Sequence, residues 1–594
     1  MQRYVAALSF LLVSLSGCHN FNPVWRAQKA EESEKSRDLD VRIVADVADV
    51  SGVTPQEIHG VGLVTGLAGT GHSPAGWHRD QLEQYLLKHI GPKGGEIAND
   101  THRRTVRQIL DDPNNAVVVV AGLLPAGVRK GDRFDVEISL PRDSKCISLA
   151  DGLLHPCSLR VYEAKASLSD RSNSKELLSS HTLAFASGPL IVGFGKNSNP
   201  HEQKVGRVWQ GGLSRIDRPY SFVMRGDEKS VRITNNLAQR INSMYQDDPH
   251  SLALISEQQK RTMIIGTLEN QMNQRYEPAR FNQREMAKVY SKNTINARVP
   301  FAYRLNHERF LRVACRTPVL PTDAGLPKYR LRLEKMLLDP RDTMPAAVRL
   351  EALGKDSIET LQTGLDNKNH PFVRFASAEA LAYLGSAAGV ETLAQLAQEH
   401  PILAAPCTLA LASLGEAVCK QTLGELMTNA QPALRCAAFD ALTQLEDIDK
   451  DIGILLGAMP VNEVFTLHRQ PNAPNATVYY STGKRAQVIL FGRNIRLSTE
   501  TSMMVGKDYT VKMDAKAGQC VVKRITTEGE RKRMCSNRLD EVLLALADVG
   551  ATYPDVVDFL RRASEYQFVS CPVANWSVPT VSLQTLVEAG KNFK

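Results

Sequence analysis

At 594 residues the chain is too long for a single hydrophobic core and suits three or four domains. Hydrophobic residues make up 43% and charged residues 23%, which excludes both a disordered polymer and a protein with many membrane spans. The 72 Lys and Arg against 64 Asp and Glu leave a net +8, which points to an anionic partner. Ten cysteines imply metal or redox chemistry in a reducing compartment and disulfides in an oxidising one.

The N-terminus indicates export. Arg3 precedes the apolar run Ala6–Leu15, which is shorter than a membrane span and ends in Leu15-Ser16-Gly17-Cys18. This resembles the lipobox of bacterial lipoproteins and implies cleavage and acylation at Cys18. His19 is not the aspartate that retains many lipoproteins in the inner membrane, so the resemblance favours the outer one. The following stretch to Asp40 mixes charges with almost no large apolar residue and reads as a solvated tether.

From Val41 onward the pattern is β-rich. Val41, Ile43, Ala45 and Val47 alternate like a strand, and Ala116–Ala121 reads as a strand buried on both faces. The turn Gly131-Asp132 precedes a strand carrying Phe134, Val136, Ile138 and Leu140. A helix follows the cap-like Thr234-Asn235-Asn236, with Leu237, Ile241 and Met244 on one face. Between Pro345 and Asp447 the apolar pattern repeats: Ala378–Gly385, Thr408–Gly415 and Phe439–Glu446 share one frame, 30 and 31 residues apart, each preceded by a proline (Pro371, Pro401, Pro432). Units of two helices that bury apolar faces only by stacking predict a small α-solenoid resembling HEAT repeats. Strands return at Ala476–Tyr480 and Ala486–Leu490, and helices at Leu539–Asp548 and Pro554–Arg562 close the pattern. The fold class expected is α+β.

Catalytic chemistry finds little footing. The run Gly66–Ser73 nearly spells a phosphate-binding loop, but His72 stands where the lysine is required, and Gly60-Val61-Gly62 lacks the third glycine of a dinucleotide fingerprint. A strand entering a glycine turn accounts for it. No metal-ligand spacing appears, and no cofactor is expected. Cys146 with Cys157, and Cys520 with Cys535 across the turn at Thr526–Gly529, are the candidate disulfide pairs. Residues 271–320 carry ten basic side chains against three acidic ones, interleaved with aromatics. Of these, Arg275, Arg280, Arg284, Lys288, Lys292 and Arg298 are the candidate contacts to an anionic envelope surface. Export argues against nucleic acid.

Several segments in order resemble the flagellar P-ring protein family: Val41–Val44 through the glycine run to Gly71, Ala116–Ile138, Ser187–Gly195, Val205–Val208 with Gly211-Gly212, Asn236–Asn242, Ala297–Pro300, then Ala476–Leu490 and Leu539–Arg562. The resemblance implies β-rich ring-forming domains interrupted by the solenoid, and no catalysis. It implies a periplasmic, homo-oligomeric ring acting as a bushing around the flagellar rod, with peptidoglycan, rod and outer-ring proteins as partners. Cys18 adds a membrane anchor. The expected division is a signal peptide (1–17), a tether (18–40), a P-ring-like part (41–325), the solenoid insertion (326–455), a second P-ring-like part (456–565) and a tail (566–594). The solenoid is expected to loop out from a block formed by the two P-ring-like parts. The alternatives are a lipid-anchored scaffold of another envelope assembly and a hydrolase acting on peptidoglycan.

Overall fold

The computed structural model describes residues 41–89, 104–164, 177–193, 202–226, 229–245, 285–320, 325–446 and 451–576, except 463, 484, 507, 515–517 and 527–528. Cys18, the tether, Arg275, Arg280, Arg284 and the tail beyond 576 lie outside them. The class is α+β.

The first lobe opens with the four-residue helix α1 (Val44–Val47), where the alternation predicts a strand. Asp46 accepts the Ile43 N–H at 2.9 Å and Val44 N–H donates to Thr317 O, so a local cap prevails over the period-two pattern. Strand β1 (Ala48–Ser51) follows. Strands β2 (Gln56–Thr65), β3 (Ala116–Leu124), β4 (Arg133–Ser139) and β5 (Leu153–Leu159) lead to the small pair β6 (Tyr162–Ala164) and β7 (Leu177–Ser179), then β8 (Ala184–Pro189) and β9 (Val205–Ser214). Strands β2-β3-β4-β9-β8-β5 close into an antiparallel barrel. Helices α2 (Trp77–His89) and α3 (Val106–Leu110) cover β2 and β3 from outside, packing Leu82, Leu86 and Ile109 against Leu63 and Val117. Interior and helices together explain why β3 is apolar on both faces.

Strands β10 (Tyr220–Met224), β11 (Ala287–Ser291) and β12 (Thr294–Ala297) join β1 in a second sheet, β1-β10-β12-β11. Helix α4 (Val231–Met244) packs on it. It starts at Ser230, ahead of the expected cap: Thr234 is inside the helix, buried, its hydroxyl donating back to Ser230 O and Val231 O. Helix α5 (His307–Cys315) leads to the stack α6 (Leu326–Leu337), α7 (Thr343–Glu351), α8 (Ile358–Thr363), α9 (Pro371–Tyr383), α10 (Val390–Glu399), α11 (Ala404–Leu414), α12 (Ala417–Leu426) and α13 (Pro432–Glu446). Gly415 ends α11 in the left-handed region (φ +70) and donates its N–H to Leu411 O, a cap that suits glycine.

Helices α7, α9, α11 and α13 form an inner row, with α8, α10 and α12 outside. All of α9 except Pro371 is buried, because the outer helices cover one side and the neighbouring lobes the other. This overturns the expectation of a solenoid looping out: its interior is continuous with the four-stranded sheet, α4 and α5 at one end, and with Ile489 and Phe491 at the other.

The last lobe begins with helix α14 (Asp451–Leu455). Strands β13 (Ala458–Val461), β14 (Phe465–Gln470), β15 (Thr477–Tyr480) and β16 (Gln487–Phe491) follow, then β17 (Ser502–Val505), β18 (Tyr509–Asp514), β19 (Gln519–Thr526) and β20 (Gly529–Ser536). Helices α15 (Leu539–Asp548) and α16 (Tyr553–Glu565) and strand β21 (Val573–Asn575) complete it. One sheet runs β13-β14-β16-β15-β21, the other β17-β18-β19-β20, and the two share a core with α15 and α16. That core is separate from the barrel interior, so the two P-ring-like stretches are not one interlocked block. They meet at Trp209 of β9, whose ring sits edge-on to Tyr553 of α16 at 5.9 Å, and through the helical stack between them.

His468 on β14 lies at the stack's far junction, fully buried, its ring edge-on to Phe439 of α13 at 4.9 Å. Burial lowers its pKa to about 4, with Arg485 adding repulsion, although Nδ1 lies 3.3 Å from Leu456 O. A histidine depressed below its unfolded value favours the fold above that value, and the contribution is lost as pH falls from about 6.5 toward 4. Urea unfolding of the full chain should therefore lose roughly 2 kcal/mol between about pH 7.5 and about pH 5 through this side chain. His468→Phe should lose correspondingly less over the same interval.

Candidate functional site

The glycine run offers no anion cradle. Leu67 N–H donates to Asn114 O, Gly69 N–H to Asn114 Oδ1 and Gly71 N–H to Pro113 O. A Cβ on Gly71 would stand 2.2 Å from Asn115 O, which is why glycine is needed there. Three of the loop's amides are thus spent on Pro113 and Asn114, and Thr70 N–H is spent on Leu67 O within the loop.

The basic stretch is also turned inward. Arg298 pairs with Asp217 on the barrel side, contrary to its expected role as an exposed contact. Arg304 lies over the Phe301 ring and donates to Phe301 O at 2.8 Å. Arg312 pairs with Glu308, and Arg316, 7% exposed, donates to Arg312 O. Of the proposed contacts that are described, Lys292 is exposed and Lys288 half-buried.

Arg309 occupies the centre. Helix α5 carries it into the stack, where Nη2 lies 2.6 Å and Nε 3.1 Å from Oε2 of Glu351 on α7. Its Nη1 lies 2.6 Å from Oε2 of Glu379 on α9, close but poorly aligned for a hydrogen bond. Tyr303 donates to Glu351 at 2.6 Å, and the guanidinium sits 4.5 Å over the Tyr383 ring. Burial works against the Arg309 cation, but the two carboxylates outweigh it and hold its pKa above the ordinary value. Burial raises both glutamates, with Arg309 offsetting part of the rise. The sequence reading missed Glu351 and Glu379. The available signal was an acidic residue inside the apolar frame of a repeat, where Thr408–Gly415 has Leu409.

A second buried arginine closes the other end. Arg435 of α13, fully buried, donates to Pro474 O, to Asn475 O at 3.2 Å and to Thr477 Oγ1 at 3.1 Å, and lies 5.2 Å from the Phe491 ring centre. Between barrel and last lobe a cleft of about 610 Å³ is lined by Leu190, Trp209, Phe465 and Tyr553, with the Glu446–Arg485 pair (3.0 Å) among its lining residues.

The four paired cysteines are separate thiols. Cys146 Sγ lies 3.5 Å from Ser148 O and Cys157 Sγ 3.6 Å from Ala186 O, so the first expected pair is not bonded. Cys520 and Cys535 stand directly opposite each other on β19 and β20 with their thiols in contact, also unbonded. That contact raises Cys520 and lowers Cys535. His155 lies 3.0 Å from Thr65 Oγ1 and is lowered by burial. Among the described residues no group of three His, Cys, Asp or Glu is arranged to hold a metal, and no helix is long and apolar enough to cross a membrane.

These joints spend charge inside the chain, and the fold they define is a closed barrel and flanking sheets locked to a helical stack. Residues 43–313, holding the barrel, the four-stranded sheet and Arg309, match the family model of the flagellar P-ring protein. The chain is 30% identical over 196 residues to the flagellar P-ring protein of Aquifex aeolicus, covering 32% of this chain and 45% of that one. For Aliivibrio salmonicida the identity is 30% over 184 residues (31% and 43%), and for Helicobacter acinonychis 27% over 203 residues (32% and 56%). The chain thus spans about half the length of these curated relatives, and through this region it is related to the flagellar P-ring family.

Removing Arg309 strands two buried carboxylates, so Arg309→Ala should cost about 3–5 kcal/mol in urea unfolding. Replacing Arg309, Glu351 and Glu379 together by Met or Leu should recover most of that loss, since a packed apolar trio needs no charge compensation.

Proposed function

We propose that the chain is a structural subunit of the flagellar basal-body P ring. In this reading it is exported to the periplasm and anchored through a lipidated Cys18, with the outer membrane favoured. Copies assemble into a ring around the rod in the peptidoglycan layer, contacting rod and outer-ring proteins, with no catalytic or cofactor chemistry. The family match over residues 43–313 carries the reading. It is supported by buried polar contacts that join the helical stack to the lobes at its two ends.

The ring reading does not require the two P-ring-like stretches to share a core. Residues 326–455 act as the joint between a ring module (41–325) and a second P-ring-like part (456–565). In this reading Cys520 and Cys535, opposite each other on β19 and β20, join as a disulfide in the oxidising periplasm, supported by their facing register. The anionic-surface role narrows to Arg275, Arg280, Arg284, Lys288 and Lys292, since Arg298 is engaged with Asp217.

Deleting the gene in its own host should abolish motility and remove the periplasmic ring from isolated basal bodies. A motile deletion strain with complete basal bodies would overturn the assignment and direct attention to another envelope assembly. Cys18→Ser should move the protein from the membrane fraction to the soluble periplasm.

A further inference from the structure

The β17–β20 sheet buries one face against α15 and α16, and among the described residues nothing covers the other. Register places Met504, Thr510, Lys523 and Lys532 in one outward row and Ser502, Lys512, Val521 and Met534 in the next. Met504, Ile525 and Met534 are 59%, 58% and 52% exposed, an apolar content that solvent alone does not explain. Strand β20 is the sheet's edge, eight residues long, with Arg531, Lys532 and Arg533 exposed in succession. Lysines on an edge guard against indiscriminate pairing, and with apolar side chains between them they also select a partner of opposite charge.

The opposite charge lies on the outer layer of the helical stack. Over residues 358–429 the exposed carboxylates are Glu359, Asp366, Glu391, Glu399, Glu416 and Glu425, against the lysines Lys368 and Lys420. Ile402 and Val418, 39% and 46% exposed, lie among them. The outer helices thus present acid around apolar contacts, while the β20 edge presents Arg531 and Lys532 beside Met534, Lys523 being paired with Glu530 (2.8 Å) and Arg533 with Asp548 (3.4 Å) within the chain.

We propose that the open face and edge of the β17–β20 sheet dock on the outer helices α8, α10 and α12 of a second copy of this chain. The contact joins two different surfaces, so each copy keeps one of each free for the next, and repetition closes into a ring. This inference rests on the ring reading above and assigns its subunit contact. Charge complementarity favours another copy over an anionic polymer, because the acidic surface belongs to the same chain.

The test uses the full-length mature protein in its host and follows ring occupancy of isolated basal bodies by electron microscopy. Arg531→Glu with Lys532→Glu should lower occupancy at least about tenfold, and so should Glu391→Lys with Glu399→Lys. A chain carrying all four reversals should regain most of the loss, since the charges are again opposite. Circular dichroism and thermal unfolding of each purified variant guard against misfolding, which these exposed positions make improbable. A photo-crosslinker at Met534 should join to peptides from residues 390–426 of another copy. Normal rings in both reversed variants, with crosslinks elsewhere, would overturn the contact and leave the ring reading standing. Loss of peptidoglycan pull-down with normal rings in the β20 variant would reassign the face to an anionic polymer, again overturning the contact. Absence of any ring in the wild type would overturn both.

Discussion

One buried cation holds the architecture together. Arg309 comes from the region shared with P-ring proteins, while Glu351 and Glu379 come from the helical stack, so the ion cluster exists only when the two are docked. A guanidinium and two carboxylates taken out of water are costly unless they meet in good geometry, and this cost makes docking close to all-or-none. Apolar packing around the cluster supplies the adhesion, through Tyr245, Tyr303 and Phe310, whose rings lie within 6 Å of one another. Arg435 does the equivalent at the far end with backbone carbonyls in place of carboxylates, tying α13 to the loop before β15.

This arrangement changes the meaning of the basic stretch. Counted along the sequence, residues 271–320 are a patch awaiting an anion. In space most of the described arginines face acids, carbonyls or rings of the same chain, some contributed from beyond residue 350. Charge density along a sequence reports a surface only when the partners are also local. Here they are 42 and 70 residues downstream, on helices whose apolar pattern masks them.

Much of the fold was readable because its periodicities are local. The repeat frame ending at Gly385 and Gly415 gave the inner helices, the alternation from Phe134 to Ile138 gave β4, and Pro554 gave the first turn of α16, whose Thr552 cap went unread. Barrel closure depends on distant pairs such as Val64 with Leu154, which no short window contains. Parallel pairing of β14 with β16, on either side of β15 in sequence, escaped for the same reason. The inner helices also read as detachable repeats because a helix that is apolar all round looks the same whether its second side meets another repeat or a different lobe.

A barrel without a free edge has a further consequence. All its strands find hydrogen-bond partners within the ring of six, so a neighbouring body pressed against its wall meets side chains and cannot be zipped into a ladder. Side-chain contacts release one by one and re-form after a small displacement, whereas a shared ladder must tear along its length. A wall of this kind tolerates slip against whatever body is pressed on it.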